Sequence, residues 1–212
     1  MAWSRQTWCA ALAAGCFLAA PLAEARHTSP PRDEWFEESA PERLVKLGLY
    51  GQSARAGSSL DVRFGVEEEH WGIASRLTLL SLKPGQGLDD GRMRMLDAHI
   101  TYAVAASEKA RLRLETGLTL TRIPAATFVG PSLGMSFERC LLGALDMEGR
   151  IQWVPLPHLQ LEAQLGLSLH LGSLVVRGGW RGLSFNDRGH IDRASPQLGR
   201  LSGPFVGMGL AL

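Results

Sequence analysis

From Leu44 to the last residue, apolar and polar residues alternate with a period of two, which is the period of an extended strand. The stretch SSLDVRFGVE, residues 58–67, shows this cleanly. Leu60, Val62, Phe64 and Val66 fall on one side, and Asp61, Arg63, Gly65 and Glu67 on the other. HLQLEAQLGLSLH sets Leu159, Leu161, Ala163, Leu165, Leu167 and Leu169 against Gln160, Glu162, Gln164, Gly166, Ser168 and His170. No stretch carries a capped 3.6-residue apolar period, so the expected fold class is all-β.

About ten strands are expected, with eight as the alternative count. They fall near 44–53, 58–68, 71–82, 93–105, 110–122, 127–138, 143–154, 159–170, 173–184 and 202–212. Turn-forming clusters such as SARAG, KPGQGLDDG, RIPAA and PLPH separate them. Soluble strands usually run to about five or six residues. Most of these reach the roughly 9–11 residues with which a tilted strand crosses a bilayer.

Alternation alone suits a half-buried soluble sheet as well as a membrane barrel. The polar faces decide for the barrel. They mix both signs of charge with Gly, Ser and Thr: Asp61, Arg63, Glu67, Arg76, Asp97, His99, Arg113, Glu115, Asp146, Glu148, Arg150, Glu162, Arg177 and Arg181. A crowded lumen needs such pairing and such small residues. With the first strand rising from the periplasm, Trp153 and Trp180 fall at outer strand ends, and Trp71, Tyr102 and Phe137 at periplasmic ends. Aromatic girdles of this kind mark the two membrane interfaces. An even strand count also places the long NDRGHIDRASPQLGR connection outside and leaves EEEH, ASEK and HLGS as short periplasmic turns. The expected architecture is a transmembrane antiparallel up-and-down β-barrel over residues 44–212.

Two segments precede it. Residues 1–25 read as a signal peptide: Arg5, the apolar run WCAALAAGCFLAAPLA, then the small residues of Ala23-Glu24-Ala25. A rival reading takes AAGC, ending at Cys16, as a lipobox. Residues 26–43, RHTSPPRDEWFEESAPER, read as a disordered periplasmic lead-in. Once the signal is removed, Cys140 is the one cysteine left, so no internal disulfide is expected. A net charge of +1 gives no reason to expect nucleic acid.

The barrel region resembles the small outer-membrane β-barrel proteins of Gram-negative bacteria. The most local carrier is the last strand, GPFVGMGLAL, with Val206, Met208, Leu210 and Leu212 in an apolar row. The resemblance implies that Phe205, Gly207, Leu210 and Leu212 form the signal read by the barrel-assembly machinery. The family commonly ends in an aromatic residue, whereas this chain ends in leucine. The implied partners are that machinery, outer-membrane lipids and lipopolysaccharide, for a monomer. A structural or surface-interaction role with at most narrow solute passage is expected. The alternatives are a barrel enzyme, either lipid A-modifying or an omptin-like protease, and a soluble lipocalin-like carrier with its apolar face inward.

Candidate chemistry is sparse. His170, Ser168 and Glu162 supply the residue types of a nucleophilic site on one strand face, with polar filling of the lumen as the ordinary reading. His99, Asp97 and Thr101 form a second lumenal group, to be read in the same way. Asp187, His190 and Asp192 share the last long loop, and Glu67 to His70 form a charged turn. No phosphate loop, dinucleotide fingerprint or zinc spacing occurs, so no cofactor and no metal is expected.

Overall fold

The computed structural model describes residues 44–83, 92–107, 109–124, 126–190 and 198–212. The expected signal peptide and lead-in lie outside these residues. Every regular element described is a strand: β1 Leu44–Ala54, β2 Gly57–Glu67, β3 Trp71–Leu82, β4 Arg92–Ser107, β5 Ala110–Ile123, β6 Ala126–Leu142, β7 Leu145–Val154, β8 Leu159–Leu171, β9 Leu174–Asn186 and β10 Leu198–Ala211.

Each strand pairs antiparallel with its sequence neighbours, and β1 pairs with β10 to close the barrel. Closure is in register from Lys46↔Ala211 to Gln52↔Phe205. It extends to the last residue, where Val45 and Leu212 exchange backbone hydrogen bonds of 2.7 and 2.9 Å. No sheet edge is left open, so backbone donors and acceptors are satisfied within the wall. The shortest strand has 10 residues and the longest 17, all long enough to span a bilayer when tilted.

The element order follows the expectation closely, and individual strand ends shift by up to four residues. β7 starts at Leu145 rather than 143, because Gly143 opens a two-residue turn at φ 54°. Gly172 opens the β8–β9 turn in the same way at φ 65°, and this left-handed geometry suits two-residue hairpins. β6 runs past 138 to Leu142 through a bulge between Cys140 and Leu142. β10 begins four residues early, at Leu198. The two longest connections, 83–91 and 187–197, leave the end of the barrel opposite the chain terminus at Leu212. These two ends are called the loop end and the terminal end below.

The inner wall near the closure seam is shaped by glycine. Tyr50 lies over Gly48 and over its cross-strand partner Gly207, and a Cβ at either glycine would run into the ring. Gly207→Ala is therefore expected to lower unfolding free energy by about 1–3 kcal/mol. Gly51→Ala, at a position where a Cβ meets nothing within 4 Å, should change little. Denaturant titration of the three proteins checks this; equal stability of all three would show that the ring shifts freely.

Candidate functional site

Alternation sends each strand's odd and even residues to opposite sides of the wall. On the outside, Leu49, Val62, Leu77, Leu96, Leu118 and Leu165 are exposed although they sit mid-strand. On the inside, Arg181, Asp97, Glu162 and Arg76 are at most 2% exposed. Apolar side chains face out and charges face in, the reverse of a soluble barrel. A wall of this kind is stable only where lipid surrounds it. The chain is a transmembrane β-barrel. No family model and no curated protein matches the sequence. Solved structures that match include the Neisserial surface protein A, at 13% identity and TM-score 0.33, covering 79% of this chain and 94% of that one. A Rhodopseudomonas blastica porin triple mutant matches at 10% identity and TM-score 0.31, covering 79% of this chain and 55% of that one. The siderophore receptor PirA from Pseudomonas aeruginosa matches at 15% and 0.31, covering 87% and 40%.

The lumen is built in layers. Nearest the terminal end, Lys46 of β1 reaches across to Glu138 of β6 at 3.1 Å. Arg113 donates to Glu67 at 2.8 Å and to Glu138 at 2.9 Å, and Arg111 donates to Glu67 at 3.1 Å. The next layer holds Arg150 with Glu115 at 2.7 Å and Arg177 with Glu148 at 3.0 Å. Here the Tyr50 hydroxyl accepts from Arg177, and the Arg63 guanidinium lies 4.3 Å from the Tyr50 ring centre.

The central layer is the most buried. Arg76 of β3 donates to Asp97 on β4 at 2.7–2.9 Å and to Gln152 at 2.6 Å, and it pairs across the barrel with Glu162 of β8. Arg181 of β9 pairs with the same Glu162 at 3.0 Å and with Asp61, which also accepts from Thr78. Thr119 and Gln152 donate to Asp97 Oδ1 at 2.6 and 2.9 Å. Buried charges persist only when paired and hydrogen-bonded in this way.

At the loop end the lumen changes character. Leu80, Leu82, Met93, Met95, Ile123, Phe128, Leu183, Phe185 and Leu201 pack into one buried apolar cluster. His158, in the β7–β8 connection, stacks against Phe185 and Phe128 with ring centres 5.0 and 5.3 Å away. Burial pushes it below the ordinary histidine range and favours the neutral ring. The sequence-based expectation of a polar lumen therefore describes only the central and terminal-end layers. Between the charged layers, at the terminal end, lies a half-open cavity of about 140 Å³.

The structure separates the residues grouped as catalytic candidates. Glu162, Ser168 and His170 share one face of β8, but Glu162 and His170 are eight residues apart, roughly 26 Å along a strand. Glu162 is held by two arginines, and His170 Nε2 lies 3.0 Å from Asp146. His99 lies 2.8 Å from Ser132 Oγ rather than against Asp97. Thr101 is buried. In the last loop, His190 Nδ1 lies 2.7 Å from the Asp187 carbonyl oxygen, and Asp192 lies outside the described residues. The Cys140 thiol donates to the Gly143 carbonyl at 3.5 Å.

Of the aromatic candidates, Trp71 opens β3 and stacks on Tyr102 with ring centres 4.7 Å apart. Trp153 is the penultimate residue of β7, and Phe137 lies half-buried over Gly149. Trp180 departs from the expectation of a strand-end position. It is midway along β9, opposite Leu165, because β9 runs on to Asn186. Its indole N–H donates to Ser202 on β10 at 2.9 Å, which supplies the partner that lipid cannot. In the last strand, Phe205 and Gly207 face the lumen beside Tyr50, while Leu210 and Leu212 face out.

Sequence reasoning missed Lys46, Tyr50, Ser132 and Glu138. Each is a single polar residue whose face depends on register, and the only signal for it was parity counted from a neighbour of known face.

Proposed function

We propose that this barrel is a closed integral protein of the outer membrane, with a structural or surface-interaction role and at most narrow solute passage. One observation carries the reading. Side chains on opposite strands, Arg76 with Glu162 and Lys46 with Glu138, bridge the lumen at two levels, and an apolar cluster fills its loop end. Lipid and lipopolysaccharide would surround the wall, with the loop end outward, and the assembly machinery would read β10. A monomer suffices, because the barrel closes on itself. An enzymatic role gains no support from Glu162, whose carboxylate is occupied by two guanidiniums.

In planar bilayers the purified protein is expected to give no porin-sized conductance steps, since open aqueous channels belong to barrels of about 16–18 strands. Regular steps of that size would refute the closed lumen.

A further inference from the structure

The terminal-end cavity is electrostatically uneven. Six cationic side chains line it against four carboxylates. Five of the six have a carboxylate at 2.7–3.1 Å: Lys46 has Glu138, Arg76 has Asp97, Arg113 has Glu67, Arg150 has Glu115 and Arg177 has Glu148. Arg63 differs. Among the described residues no carboxylate forms an ion pair with it, and its Nη2 donates to the neutral Gln164 at 2.7 Å. Its Nε is buried without a hydrogen-bond partner. The face of the guanidinium is taken by Tyr50, 4.3 Å away, and Nη2 by Gln164, which leaves the Nη1 side of the fork for a ligand.

A guanidinium carries five N–H donors in a planar fork suited to oxyanions. Arg63 is partly buried, and a cation held in the lumen without a counter-charge is costly, so an anion entering here meets a preformed attraction. We propose that the cavity binds a small oxyanion in the fork of Arg63. At about 140 Å³ and half-open, it admits an ion of phosphate size with water around it. The four carboxylates do not repel such a ligand strongly, because each is already neutralised by a cation. This assignment is independent of the closed-lumen reading, since the cavity lies to one side of the central layer.

The test is calorimetric titration of the detergent-folded protein with inorganic phosphate at low ionic strength. Wild-type protein is expected to show saturable one-site binding. Arg63→Met, which keeps the apolar stem over Tyr50, should weaken it about tenfold or more. Arg94→Gln, at an exposed position on β4, should bind as wild type. Heat-modifiable gel mobility shows whether each variant is folded. Should Arg63→Met fail that check, Arg63→Gln takes its place. Absence of saturable binding in the wild type, or unchanged binding in a folded Arg63 variant, would overturn the site.

Discussion

Glu162→Gln is expected to lower the unfolding free energy by about 3–5 kcal/mol, the usual cost of removing one partner from a buried ion pair. Glu162 is 2% exposed and accepts from both Arg76 and Arg181. Glutamine keeps the volume and one acceptor oxygen, so the change isolates the charge. Asp97 and Asp61 then remain as single counter-charges for the two guanidiniums, while the amide N–H2 that replaces one carboxylate oxygen faces guanidinium N–H donors and loses the acceptor they use. Adding Arg76→Met should deepen the loss, because it strands the buried Asp97 carboxylate with only its Thr119 and Gln152 donors. Equilibrium unfolding from lipid vesicles measures both variants. A loss below about 1 kcal/mol would mean that water reaches the layer and screens it as it screens a surface pair.

How far such a layer is legible in a sequence depends on what sets it. Parity along a strand is local, so Asp61, Arg76, Glu162 and Arg181 are recognisable as inward residues from their neighbours alone. Their partners are not. Whether Arg76 meets Glu162 depends on closure and on the stagger of β3 against β8, which no short stretch encodes. The apolar cluster escapes for another reason. In LTLLSL and RMRMLDA, apolar residues such as Leu80, Leu82, Met93 and Met95 stand on the inward parity beside outward Leu79 and Leu96. With both faces apolar, the period-two signal that separates lipid from lumen vanishes. Trp180 sits in mid-wall although tryptophan usually marks an interface. In mid-wall the same ring is accommodated by one serine on the adjacent strand, a contact visible only once β9 and β10 are in register.

The direction of the wall itself is open to a direct test. Val62 is the sixth of eleven residues in β2, 46% exposed, and is flanked across the sheet by Leu49 and Leu77. Val62→Arg should cost about 2–4 kcal/mol on unfolding from lipid vesicles, the depth-dependent penalty for a cation near the bilayer midplane. The same change at Val66, one residue from the strand end, should cost about 0–1 kcal/mol, since the guanidinium reaches the headgroups. A soluble barrel would show no such gradient, because an exposed arginine costs little anywhere on a water-facing wall. The adjacent inward residue supplies the converse. Arg63 is already a cation one position along the chain, held in the lumen by Gln164 and Tyr50. Two neighbouring residues would then tolerate the same side chain to opposite degrees, and only a wall with lipid on one side and polar side chains on the other produces that contrast.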